Sequence, residues 1–418
     1  MKKIFVTYKD SIILLGAIIV GAIIGIVLGE KSVVLKPFGD IFLNLLLVII
    51  VPLIFLTIST SISNMKHPKR LGKIIVNIFL VFIIMSLVAV VIGVLSTYFI
   101  DLVEVENSEA IKNSLVLDAA IDNEELSILD RTVKAITVSD FVDLLSRNNI
   151  IALILMSILF GLAMNFSGEK AKPVRDLLVS FTDVIMNLLK IIMYYAPIGL
   201  GCYFAALIGA FGAEIAVGYA KTFIIYTIVA ILFYFVIYSV YAFIAAGKEG
   251  IKVFWKNIFP ATITALATCS SAASIPVNLE AAKKIGVSDD IAEPMIPLGT
   301  SFHKDGSIIG SVFKIMFLVG LFGGVNIATL AGISQVIITA LVATLLVTAV
   351  PIGGGTISEM MIITMMGYPV GALPILTIIA TIIDPPATVL NVIGDTSGAM
   401  LVARMTDGKN WLKQKNNV

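Results

Sequence analysis

The chain has 418 residues, 58% of them hydrophobic and only 14% charged, with a formal net charge of +1 and a mean hydropathy of +1.03. That composition lies well outside the range of soluble domains, so an integral membrane protein is expected and no nucleic-acid partner is. Short alternating segments of strand length are missing, which disfavours a transmembrane barrel and leaves a helical bundle in lipid.

In chain order, Ser11 to Leu28, Phe38 to Ile62, Ile74 to Ile100, Ile150 to Met164, Val179 to Ala206 and Thr222 to Ala245 read as spans, near the ~20 apolar residues that a crossing helix needs. The start, MKKIFVTYKD before an apolar run, imitates a signal peptide, but no small-x-small cleavage site follows it. It reads as the first transmembrane helix. Lys2, Lys3 and Lys9 precede the first span, Lys66, Lys69, Arg70 and Lys73 follow the second, Lys170, Lys172 and Arg175 the fourth, and Lys248, Lys252 and Lys256 the sixth. The positive-inside rule puts these connections and both termini in the cytoplasm. The stretch from Asp101 to Arg147, acidic through Glu104, Glu106, Glu109, Asp118, Asp122, Glu124, Glu125 and Asp130, falls outside. Cys202 and Cys269 lie in apolar context and support neither a disulfide framework nor a zinc site.

After Lys256 the alternation of span and loop ends. ATCSSAASIPVNLEAAKK places Ser270, Ser271, Ser274 and Pro276 between apolar flanks that are each too short to cross alone, and reads as a re-entrant hairpin. LLVTAVPIGGGTISEMM repeats the design with Pro351, Gly353, Gly354 and Gly355. Interrupted backbone at membrane depth survives only inside protein or along a watery cavity, and two such interruptions point to inverted repeats around a midplane site. A pair of kinked spans is the blander reading. Between the two lies SFHKDGSIIG, with His303, Lys304 and Asp305 inside an otherwise apolar run. The last span holds Asp384, Asn391 and Asp395, which helical spacing stacks along one stripe. Acids within a span are costly unless paired, and mark function more often than structure.

Four motifs in sequence order, YYAPIGLG from Tyr194, CSSAASIPV from Cys269, PLGTSFHKDGS from Pro297 and DPPATVLNVIGD from Asp384, resemble the glutamate-transporter family of dicarboxylate and amino-acid:cation symporters. The resemblance implies an all-α membrane protein of eight spans and two re-entrant hairpins, assembled as a homotrimer in a prokaryotic cell membrane. It also implies an elevator: scaffold spans in residues 1–72 and 149–212, an extracellular loop at 101–148, and a transport domain built from 73–100 and 213–418, with the second hairpin as gate. Residue by residue, Asp384 matches the aspartate that holds a substrate amino group, and Asn391 the asparagine that holds its α-carboxylate. Ser270 and Ser271 match the serines of the first hairpin, with Thr388, Pro351 and Gly353 lining the same site. The family's arginine for an acidic side chain is replaced by Ala387, so a neutral amino acid is the expected substrate. The alternative is a sodium- or proton-coupled symporter of dicarboxylates or acidic amino acids.

No cofactor is expected beyond a sodium ion or a proton as coupling ion. Asp305 and Asp395 match sodium-binding carboxylates, but His303 and Lys304 stand where the family has asparagine and methionine, and Met85 and Ser86 where a polar pair helps a third site. An ammonium has three donors and no acceptor. Lys304 is therefore expected to pair with Asp305 or Asp395 in place of sodium, leaving binding with weak or absent sodium dependence. His303 and Glu359 are the candidates for a proton site; their blander readings are a packed, hydrogen-bonded ring and an acid facing a watery vestibule. A channel is the competing class. An enzyme using Ser270 or Ser271 with His303 lacks the Gly-x-Ser-x-Gly elbow.

Overall fold

A helix satisfies its backbone N–H and C=O groups within its own segment, which is what surrounding lipid demands of apolar sequence. The computed structural model describes residues 9–63, 71–103, 137–146, 149–211, 214–347 and 355–414, and these contain helices and no β-strand. Most of the acidic loop, and the expected site residues Pro351 and Gly353, lie outside the described residues. The long helices are α1 (Lys9–Leu28), α2 (Lys36–Ser63), α3 (Leu71–Tyr98), α4 (Ile150–Phe166), α5 (Lys172–Phe211), α6 (Glu214–Leu232) and α7 (Tyr238–Asn257). They continue with α8 (Phe259–Thr268), α9 (Ser271–Ile285), α10 (Asp289–Phe302), α11 (Asp305–Phe322), α12 (Leu330–Thr344), α13 (Thr356–Met366) and α14 (Leu373–Asp407).

Among the described residues, Gly16–Phe42, Ile74–Tyr98, Ile215–Asn257, Asp289–Phe322 and Val370–Asp407 are helical stretches long and apolar enough to cross a membrane. Their outer faces carry bare apolar side chains such as Val27, Ile83 and Ile224, a surface that suits lipid and would drive association in water. The sixth expected span differs from a plain helix. A π-helical turn at Phe233–Ile237 separates α6 from α7, and α7 itself breaks at Ala246 and Gly247, the latter at φ 67°. Helical turns of the π type swing the following side chains round the axis, and here the next residue is Tyr238, which enters the site.

Two packing groups form. Helices α1, α2, α4 and α5 pack chiefly on one another, while α3, α6 to α11 and α13 surround α14. Because α14 is enclosed, its polar side chains meet protein partners rather than lipid. Helices α8 and α9 fold back on each other through Cys269 and Ser270. Cys269 adopts a left-handed conformation at φ 47°, and the Ser270 hydroxyl accepts a hydrogen bond from the Ala273 N–H at 3.2 Å. Serine at this N-cap satisfies a donor the helix leaves free, so the serine-rich tip has a local reason. Helices α12 and α13 likewise pack side by side. Between α10 and α11 the chain is extended for two residues, His303 at φ −124° and Lys304 at φ −148°. The apolar run around SFHKDGSIIG is therefore a helix broken at its charged centre.

Candidate functional site

The break brings His303 and Asp305 inside protein, where they meet an acid of α14. His303 and Asp305 are fully buried and Asp395, from α14, is 1% exposed. The imidazole lies between the two carboxylates, with Nδ1 3.2 Å from Asp395 Oδ1 and Nε2 3.0 Å from Asp305 Oδ1. The first contact is a hydrogen bond; the second is close but bent, and leaves Nε2 and Asp305 Oδ1 without a hydrogen-bond partner among the described residues. Both ring nitrogens thus face acids, an arrangement that an imidazolium, donating from each, satisfies. Phe82 of α3 stacks on the ring at 5.0 Å and 8° and fixes its plane. The Tyr238 hydroxyl lies 2.6 Å from the Leu390 carbonyl oxygen and 3.1 Å from Asp305 Oδ2, its one proton serving either.

Glycines open the space for this cluster. A Cβ on Gly394 would fall 2.8 Å from Asp305 Oδ2 and 2.9 Å from His303 Cε1, and one on Gly299 would fall 2.2 Å from Asp395 Oδ1. Neither position admits a side chain without moving the acids.

Lys304 goes elsewhere. Its side chain, 2% exposed, donates to the carbonyl oxygen of Val347 just beyond α12. The expectation that it pairs with Asp305 or Asp395 therefore meets a different geometry: the ring of His303 contacts both acids. The physical reason is position. The last carbonyls of a helix lack intrahelical partners and sit at the negative end of its dipole, so the end of α12 attracts the ammonium.

The stripe on α14 is present, and each member is engaged by a protein partner. Thr388 Oγ1 donates to Asp384 Oδ1 at 3.3 Å. Asn391 Nδ2 donates to Ser307 Oγ at 3.0 Å, and its Oδ1 accepts from the Ser307 N–H at 3.1 Å. That exchange ties α14 to the first turn of α11. Ala387 is buried, and its carbonyl oxygen lies where a Cβ on Gly306 would be 2.2 Å away. Ser270 and Ser271 are buried at the tip between α8 and α9, and that unit is fastened to α14 by Asn278, which donates to the Val392 carbonyl oxygen at 2.8 Å and accepts from Thr396. Met85 is buried, against Gly398, and Ser86 is half-buried.

Glu359 is 1% exposed, so the vestibule reading does not describe it. Lys314 of α11 donates to its Oε1 at 3.1 Å, and Thr377 Oγ1 of α14 lies 2.9 Å from its Oε2. Lys314, Thr377, Ser307 and Tyr238 were not singled out from the sequence. A signal existed: Ser307, Ser311 and Lys314 are spaced four and three apart, one polar face of α11 within an apolar run.

The model of the sodium:dicarboxylate symporter family matches residues 11–405. The chain belongs to that family. Among similar curated proteins is a proton/sodium-glutamate symport protein of Geobacillus stearothermophilus, 27% identical over 429 residues, covering 100% of this chain and 98% of the relative. Another is a C4-dicarboxylate transport protein of Acidovorax ebreus (strain TPSY), 30% identical over 312 residues, covering 72% and 67%. A third, C4-dicarboxylate transport protein 1 of Ralstonia nicotianae (strain ATCC BAA-1114 / GMI1000), is 28% identical over 333 residues, covering 76% and 74%. The chain is thus a membrane transporter of a symporter family rather than an enzyme. The family is one of sodium- or proton-coupled symporters of small molecules.

Proposed function

We propose that this family member is a secondary active transporter that moves a dicarboxylate or an acidic amino acid across a prokaryotic cell membrane. The observation that carries the reading is the match along nearly the whole chain to a dicarboxylate symporter family, together with relatives named for glutamate and C4-dicarboxylates. This favours acidic substrates over the neutral amino acid expected from the sequence. The substrate site comprises Asp384, Thr388 and Asn391 of α14, Ser270 and Ser271 at the first hairpin tip, and Pro351 and Gly353 at the second. Helices α1, α2, α4 and α5 act as a trimeric scaffold and the group around α14 as the moving unit, with eight spans, two hairpins and both termini in the cytoplasm.

A neutral amino acid remains the second reading, favoured by one observation. Ala387 carries no charge, and Lys314, the cation within electrostatic reach of Asp384 on the same helix, is already engaged by Glu359. The coupling ion follows from the break. His303 takes the place of a cation between Asp305 and Asp395, and Lys304 takes the place of one at the carbonyls that end α12. Sodium, as co-transported cargo, needs several hard oxygen donors; here an imidazole and an ammonium stand among them. Solute binding therefore has weak or absent sodium dependence.

The test is a binding panel on purified protein with L-glutamate, succinate, L-serine and L-alanine, each with sodium or choline and at two pH values. Saturable binding of L-glutamate or succinate supports the first reading. Binding of L-alanine or L-serine alone overturns it in favour of the second.

A further inference from the structure

Helices α11 and α14 pack against each other with their chains running in opposite directions. Ser307 meets Asn391, and three residues further along α11 a Cβ on Gly310 would fall 2.8 Å from Ile383 Cδ1. On α14, Thr377, Thr381, Asp384, Thr388 and Asn391 follow one another in steps of four, three, four and three, so they share one face. On α11, Ser307, Ser311 and Lys314 do the same. This register carries Lys314 past Gly310 to the part of α14 that lies between Thr377 and Asp384.

The charges along this seam are held in different ways. Lys314, 6% exposed, donates to Glu359 Oε1 at 3.1 Å, and Thr377 Oγ1 lies 2.9 Å from Glu359 Oε2. The ammonium is thus pinned by an acid of α13, which is itself braced against α14. Asp384 is half-buried, and among the described residues it forms no ion pair; Thr388 Oγ1 donates to its Oδ1 at 3.3 Å. Yet Asp384 lies within electrostatic reach of Lys314, and inside protein such a field is weakly screened. A carboxylate open to a solute therefore sits in the field of a cation that is committed to another acid.

We propose that Lys314 is a specificity-determining residue: pinned by Glu359, it offsets part of the charge of Asp384, so that the site accepts a substrate with no amino group and favours a dicarboxylate over an amino acid. The proposal deepens the substrate reading and rests on Asp384 as the group that faces a substrate's amine. An ammonium brought to Asp384 meets the repulsion of Lys314 as well as the attraction of the carboxylate, whereas a substrate lacking the amine leaves Asp384 with a cation already nearby. Glu359 sets the balance, because it keeps Lys314 from pairing with Asp384 outright. Removing Lys314 alone would strand Glu359 as a lone buried charge, which is costly, but replacing both partners by neutral groups is tolerated. The double replacement therefore isolates the effect on Asp384.

The experiment has two arms on the purified full chain. In the first, Cys202→Ser, Cys269→Ser and Asp384→Cys leave one thiol at the half-buried position, and its reaction rates with trimethylammonium-ethyl and sulfonatoethyl methanethiosulfonate are compared. The same thiolate attacks both reagents, so the cation-to-anion rate ratio reads the local field and no solute is needed. Adding K314M/E359Q is expected to raise that ratio about tenfold, the scale of one unit charge acting through protein, while K314R, which keeps the charge, stays within about twofold of the parent ratio. In the second arm, with Asp384 and both cysteines intact, K314M/E359Q is expected to tighten the Kd for L-glutamate about tenfold relative to that for succinate. A rate ratio unchanged by the double replacement, or moved as far by K314R, would overturn the proposal, as would an unchanged L-glutamate to succinate preference in a protein that binds both. A parent that binds neither solute overturns the substrate reading alone, because the rate ratio still decides whether Lys314 acts on position 384.

Discussion

His303 Nδ1 and Asp395 Oδ1 lie 3.2 Å apart although 92 residues separate them in the chain. The contact joins the break between α10 and α11 to the central helix α14, and the same ring reaches Asp305 on its other edge. A side chain of the protein itself, the imidazole of His303, thus lies between two buried acids.

Replacing that ring should restore a need for a cation. His303→Asn leaves Asp305 and Asp395 facing each other unpaired, at a cost of about 3–5 kcal/mol. The variant is expected to melt lower than the parent in choline chloride and to regain stability in sodium chloride, since a ligand of the folded state raises the melting temperature. Thermal unfolding in the two salts measures this; an equal melting temperature in both would count against the reading.

The space for the cluster is equally specific. Gly394→Ala would drive a methyl group to 2.8 Å from Asp305 Oδ2. Overpacking of this kind costs about 1–3 kcal/mol, so a lowered melting temperature and reduced solute binding are expected, with little change for Gly16→Ala, where nothing lies within 4 Å.

The proposed role of Asp384 is to hold the amino group of an amino-acid substrate. Asp384→Asn should weaken binding of any amino acid by about tenfold or more, the scale of a lost charged hydrogen bond, while succinate, which has no amine, loses no such contact. Calorimetry with L-glutamate and succinate on both proteins separates the two.

Much of this was legible in the residues. The interruptions at Ser270 and at His303 to Asp305 announced themselves as polar residues in apolar runs, and the spacing of Asp384, Asn391 and Asp395 gave a stripe that α14 retains through Pro385 and Pro386. Pairings across the fold were not legible. Nothing local indicates that His303, rather than the fuller charge of Lys304, would reach Asp395, because the outcome depends on where α12 ends. Lys314 escaped for the same reason: its partner Glu359 is 45 residues away, and only packing of α13 on α11 brings them together. The π-helical turn before Tyr238 leaves no mark in an apolar sequence.

A side-chain charge could also be added where the family resemblance places one. Ala387→Arg supplies a planar, two-pronged donor for a carboxylate. If the substrate is a neutral amino acid, the variant should gain affinity for L-glutamate relative to L-alanine; if the parent already takes acids, the ratio should change little. Competition binding of the two solutes reads the ratio directly.

The central claim is that His303 and Lys304 stand in for a coupling cation. It is tested most directly by the Kd of whichever panel solute binds, measured on purified parent protein and on Lys304→Met with sodium chloride replaced stepwise by choline chloride. The account predicts a parent Kd that is the same in both salts within about twofold and a Lys304→Met Kd that tightens about tenfold or more with sodium, as mass action requires of a ligand that fills a vacated cation position. A parent that binds only when sodium is present would contradict it.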